Sequence, residues 1–144
     1  FVKDTQNKNI MCNWKFNGWA KYKNYKHDEK VNQKINSFYK KKIILPKFKK
    51  RHVVLEGGSI DVNGKGLLLT TRECLLSKVQ KRNLNFKRED YHTIFKRYLG
   101  INKVIWLNKG IVGDDTHGHI DGIARFVDQK KIFIAYENNK RDKN

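Results

Sequence analysis

Apolar residues recur along this chain with two different periods. Over 28–40, Val31, Ile35 and Phe38 fall at i, i+4 and i+7 and predict an amphipathic helix. Asp28-Glu29 suit its positive N-terminus, and Lys40-Lys41-Lys42 complement the opposite pole of the dipole. A stronger stripe of Tyr91, Ile94, Phe95, Tyr98 and Leu99 predicts a helix over 84–100, with Asn85 as N-cap and Gly100 as the C′ stop.

Short apolar runs read as strands: Phe1-Val2-Lys3, Ile10-Met11-Cys12, Ile43-Ile44-Leu45 ended by Pro46, Val53-Val54-Leu55, Leu67–Thr71 and Val104–Leu107. Trp14 and Phe16 alternate up to a turn at Asn17-Gly18; with Trp19 they fill a core or wall a pocket. Asn63-Gly64 is a hairpin signal, Glu73–Leu76 a short helical turn, and Lys131–Tyr136 a strand alternating with period two. Two stretches, Val53–Thr71 and Val104–Tyr136, share a plan: buried strand, glycine-flanked acidic element, then strand. That plan suggests repeated αβ modules whose loops gather at one end of the fold.

Composition narrows the class. A chain of 144 residues, 38% of them hydrophobic, suits one domain with a real core. It opens on Phe1 without a methionine, so we read it as an internal fragment or processed piece. No apolar run is long enough to span a membrane, and no signal peptide is evident at the start. Cys12 and Cys74 form no metal-type pair, and Cys74 reads as a small buried hydrophobe; a reduced cytoplasmic setting is the default.

The net charge of +18 invites a nucleic-acid reading. The basic residues, however, are 25 Lys against 7 Arg, spread along the chain, where phosphate or guanine recognition favours Arg. Residues 1–52 carry 15 basic against 3 acidic groups, and residues 53–144 carry 17 against 11. Lys21–Lys26 and Lys47–Arg51 read as solvated loops. A nucleic-acid partner is therefore not the expectation.

One segment departs from this background. Gly113–Gly122 packs Asp114, Asp115, Asp121, His117 and His119 among three glycines, a grouping that core packing does not ask for. His119 and Asp121, two apart, face one space if the segment is extended, and Asp115 can converge on His119 from the loop. Carboxylates aimed into a pocket grip a planar guanidinium and favour the charged form of a neighbouring imidazole. Glu56, set after an apolar strand and before Gly57-Gly58, reads either as an active-site carboxylate or as a turn-stabilising cap. Two further readings of the cluster stay open: a metal site of His117, His119 and Asp121, for which no distant histidine is well placed, and a purely structural capped turn. Calcium fits less well, because the spacing lacks the alternating oxygen pattern of an EF-hand.

Residues 53–66 (VVLEGGSIDVNGKG), 69–76 (LTTRECLL) and 104–126 (VIWLNKGIVGDDTHGHIDGIARF), with 13–19 (NWKFNGW) ahead of them, resemble agmatine deiminases and the bacterial-type peptidylarginine deiminases of the guanidine-modifying superfamily. The resemblance covers nearly the whole chain in order. It implies a five-bladed α/β propeller (pentein) of ββαβ-type modules, of which residues 1–144 supply the central part of a single catalytic domain. It implies a hydrolase that converts agmatine to N-carbamoylputrescine and ammonia in putrescine synthesis, with peptidylarginine or arginine deimination, or an inactive basic relative that binds nucleic acid, as the alternatives. By motif, His119 is the general acid/base, Glu56 orients it, Asp121 grips the guanidinium and Asp115 helps bind substrate. No cofactor and no metal are implied; a homo-oligomer is possible. Neither the family's Arg-Asp motif nor its nucleophilic cysteine has a counterpart in the chain, and His117 stands where an acidic residue is usual. The piece alone is therefore expected to be inactive.

Overall fold

In the computed structural model, which describes residues 1–143, the chain twice runs strand, antiparallel strand, helix, then a strand parallel to the second. The first unit is β1 (Val2–Lys3), β2 (Asn9–Cys12), α1 (Val31–Tyr39) and β3 (Ile43–Ile44). Val2 pairs with Ile10 antiparallel, and Met11 with Ile43 parallel. A hairpin of β4 (Lys47–Phe48) and β5 (Arg51–His52) follows. The second unit is β6 (Ile60–Val62), β7 (Leu67–Thr71), the short α2 (Arg72–Leu76), α3 (Arg88–Leu99) and β8 (Lys103–Leu107). Here Ile60 pairs with Thr70 antiparallel and Leu68 with Val104 parallel. β9 (Ala124–Phe126) and β10 (Ile132–Ile134) form a last antiparallel hairpin. The fold is α/β with ββαβ-type units, as the resemblance implies.

The core sits in the second unit. Side chains alternate across β7, so Leu68 joins Tyr91, Ile94 and Phe95 of α3 while Leu69 meets Ile120 and Ala124 on the opposite face. The central strand is thus buried on both sides. Val53 and Leu55 belong to the α3 side, and their segment runs straight into Glu56.

Several local expectations shift. The 84–100 helix begins at Arg88, because the Asp90 carboxylate accepts the Lys87 N–H at 2.8 Å and caps it there. Asn85 instead takes a left-handed turn with φ of 62°. The segment 53–55 is buried as expected but forms only one bridge, Lys15 to Val54. Its remaining polar groups at Val54 are met by Asn83, whose amide both donates to the Val54 carbonyl and accepts from its N–H. Ile43 and Leu45 stay exposed; Pro46 is the buried residue of that run. α1 forms, but Val31, Ile35 and Phe38 remain exposed. Trp14 packs edge-on against Tyr98 beside the core, whereas Phe16 meets Trp19 and Tyr25 in edge-to-face contacts of their own.

Candidate active site

Two short 3-10 turns place the chemistry. Glu56 immediately precedes one, Gly57–Ser59, and His119 the other, Ile120–Gly122. Each turn leads into an antiparallel hairpin, β6–β7 or β9–β10. The shared plan seen in the sequence is therefore real at this level, and it brings the two turns face to face. The approach is close at Gly58: a Cβ there would lie 2.5 Å from His119 Nδ1 and 2.7 Å from an Asp121 oxygen.

Glu56 and His119 meet in the gap so formed. Glu56 Oε2 lies 3.5 Å from His119 Nε2, with both side chains nearly inaccessible to solvent. Neither atom has a hydrogen-bond partner among the described residues. On its other edge, His119 Nδ1 lies 3.9 Å from Asp121 Oδ1, and Asp121 is half-exposed. The pairing of His119 with Asp121 holds, though through a helical turn rather than an extended segment. A cleft of about 330 Å³ opens over His119, Asp121, Asp114, Thr116, Ile111 and Gly122.

Asp114, not Asp115, organises the loop. Its Oδ2 accepts from the Thr116 hydroxyl at 2.5 Å and from the backbone N–H groups of Gly118 and His119 at 3.0 and 3.1 Å. Burial works against its charge, but these hydrogen bonds outweigh burial and hold its carboxyl below the ordinary carboxylate range. Asp115 does not converge on His119. It faces outward to the Lys21 ammonium and the Tyr22 hydroxyl, and the Lys21 contact depresses its carboxyl. Two adjacent aspartates on a turn must point apart, and only one can close the loop.

The other side of Glu56 is held by Arg82, which residue-by-residue reading did not single out. Its guanidinium is fully buried: Nε donates to Glu56 Oε1 at 3.0 Å, Nη1 to the Gln80 carbonyl at 3.0 Å, and Nη2 to the Thr116 carbonyl. One cation thus fixes both halves of the site. Nothing local in the sequence sets Arg82 apart from the other six arginines, although a planar fork of donors is what such a clip needs. Gln80 adds to the clip, donating to the carbonyls of Trp19 and Asp115.

His117 turns away, with its Nε2 3.1 Å from the Ser77 hydroxyl, so His117, His119 and Asp121 do not form a joint ligand set. His52 binds the Asn13 carbonyl and His92 stacks on Trp106, so neither joins the cluster. Cys74, capped at the start of α2 by the Thr71 hydroxyl, lies beneath the Glu56–His119 pair. Burial pushes its thiol up to about 12. It is thus an inert thiol toward substrate, as a small buried hydrophobe should be. The arrangement presents a buried imidazole between two carboxylates at the edge of a cleft, and the thiol beneath it, Cys74, is kept protonated by burial.

Comparison with known proteins gives one consistent answer. The whole chain, residues 1–144, matches the family described as Porphyromonas-type peptidyl-arginine deiminase. It is 36% identical over 144 residues to an agmatine deiminase of Medicago truncatula, covering 96% of this chain and 37% of that one. It is 35% identical over 137 residues to an agmatine deiminase of Pseudomonas syringae pv. syringae, covering 92% and 36%. Among solved structures, the agmatine deiminase of Enterococcus faecalis aligns at a TM-score of 0.81 and 32% identity, over 91% of this chain and 36% of that one. The chain therefore spans little more than a third of the length of these relatives.

Proposed function

The chain belongs to the Porphyromonas-type peptidyl-arginine deiminase family, and from that premise we propose that it carries the acid/base and guanidinium-binding half of an agmatine deiminase. The observation that supports this most is the Glu56–His119 contact of 3.5 Å, whose facing atoms have no other hydrogen-bond partner among the described residues. Two polar atoms buried without partners are costly, and are kept where chemistry needs them.

In this reading the guanidinium of agmatine enters the cleft above His119 and lays its N–H groups on Asp121. A guanidinium carbon is poorly electrophilic, so it must be held in line and its leaving nitrogen protonated. A cysteine thiolate from outside these 144 residues attacks that carbon. His119, flanked by Glu56 and Asp121, gives a proton to the departing nitrogen, and ammonia leaves. His119 then takes a proton from water as the water adds to the amidino-thioester carbon. Expulsion of the thiolate yields N-carbamoylputrescine. Arg82 holds Glu56 so that Oε2 stays aimed at the ring.

The same reading assigns the two ββαβ units to a five-bladed α/β propeller, makes the product a precursor for putrescine synthesis in the cytoplasm, and gives Asp115 a place at the substrate's outer end. The test is turnover by the full-length gene product containing this chain, with agmatine, arginine and a peptide arginine compared side by side. Ureido product from agmatine, lost in His119→Asn and retained in Cys74→Ser, supports the proposal. Preference for arginine or the peptide redirects the substrate, and no turnover of any of the three overturns it.

A further inference from the structure

Beneath the cleft, the side chains of Glu56, Cys74 and His119 each offer a ligand atom, and these atoms all lie within 4.8 Å of one another. All three residues are buried. We propose that these three side chains bind a thiophilic divalent cation of the zinc class, on the Nε2 edge of His119, opposite the Nδ1 edge that Asp121 flanks.

The donor set carries the argument. One sulfur, one imidazole nitrogen and one carboxylate oxygen suit zinc or cobalt, whereas magnesium and calcium want oxygen alone. Tetrahedral bonds to such ligands place the donor atoms about 3.3–3.7 Å apart, and the Glu56–His119 separation of 3.5 Å already falls there. The two atoms that would turn to the ion, Glu56 Oε2 and His119 Nε2, have no hydrogen-bond partner among the described residues. Arg82 occupies Oε1 only, leaving Oε2 free to ligate. On the far edge of the imidazole, Asp121 lies 3.9 Å from Nδ1, on the side from which a carboxylate orients a ligating histidine.

Binding displaces the Cys74 thiol proton to solvent and forms the metal–sulfur bond, with no change of oxidation state. The Glu56 carboxylate and the new thiolate together offset the Arg82 charge and half-neutralise the ion. A water as fourth ligand completes the tetrahedral shell. Where the deiminase reading holds, the ion occupies both members of the acid/base pair and is an inhibitor. The binding itself does not depend on that reading.

The test is a cobalt(II) titration of the 144-residue chain, read by thiolate-to-cobalt charge-transfer absorption and reversed by zinc. The expected result is a band present in the wild type and in Cys12→Ser, absent in Cys74→Ser, and weakened ~10-fold in apparent affinity by Asp121→Asn. Should Cys74→Ser fail to fold by circular dichroism, His119→Ala, which keeps the thiol, must lose at least ~10-fold in affinity. No band on folded wild-type protein, a band that survives Cys74→Ser, or one that vanishes in Cys12→Ser overturns the proposal.

Discussion

The two ββαβ units follow one course of chain and end in opposite states of burial. In the second, Tyr91, Ile94 and Phe95 of α3 are wholly buried against Leu68 and Val53. In the first, the corresponding stripe of α1 stays in solvent, with Phe38 85% exposed. The difference lies in what each sheet offers. β7 is buried on both faces and gives α3 a continuous apolar floor, whereas β2 and β3 together bury only Met11. Helical periodicity can form an amphipathic face; only a neighbour can cover it. The catalytic candidates sit on the unit that is covered. Glu56 continues a segment anchored by Val53 and Leu55, and Thr71 at the end of β7 reaches the Gly118 carbonyl at 2.5 Å. A site that must hold an imidazole within a fraction of an ångström needs that rigidity.

Truncating one aromatic in each helix breaks this comparison most strongly. Phe95→Ala should cost about 3–5 kcal/mol in a urea denaturation series, and Phe38→Ala no more than about 0.5 kcal/mol. Equal losses would mean that α1 is covered after all. The two ion pairs near the site repeat the contrast. Arg82→Ala leaves the Glu56 carboxylate buried and unpaired, a change that costs about 3–5 kcal/mol. Lys21→Ala, which frees the exposed Asp115, should leave the denaturation midpoint where it was.

Neighbouring glycines sharpen the same point on activity. A Cβ at Gly57 meets nothing within 4 Å, while one at Gly58 would collide with His119 and Asp121. In the full-length product, Gly58→Ala should lower kcat about 100-fold by displacing the ring, and Gly57→Ala should stay close to wild type. The smallest effect concerns acid. The Asp114 carboxyl titrates below its ordinary value of 3.8 when folded, so its stabilisation of the loop is fully present above that pH. It is lost only as pH falls through the lower folded value. The Asp114 side-chain carboxyl carbon resonance should therefore keep its ionised position down to about pH 4 and move only beneath it; a midpoint above 3.8 would contradict the role given to Asp114.

Much of the fold was readable where a pattern and its partner lie close in sequence. The α3 stripe, the Asn63-Gly64 hairpin and the strand of 104–107 all rest on local spacing, and all form. So does the repeated turn-then-hairpin plan that presents Glu56 and His119. What sequence spacing could not supply were choices made by distant residues. Asn85 is a good cap by type, yet Asp90 closes the helix two residues later. Asp114 and Asp115 are chemically alike, and Lys21 and Tyr22, more than 90 positions away, draw Asp115 outward. Arg82 looks like one more surface cation until the fold carries Thr116 to it. The His119–Asp121 pairing was anticipated for an extended strand and is met instead at the entry to a 3-10 turn, where His119 is the still-extended cap residue and Asp121 lies inside the turn.

The central claim is that His119 and Asp121 form a guanidinium-binding edge. Its most direct measurement is an NMR titration of the 144-residue chain with agmatine, following the His119 ring protons. The account predicts saturable shifts at His119 and at the Ile120–Gly122 amides, weakened at least ~10-fold in Asp121→Asn while putrescine, which lacks the guanidinium, leaves them unmoved. Shifts of equal size with putrescine, or full binding retained in Asp121→Asn, would contradict it.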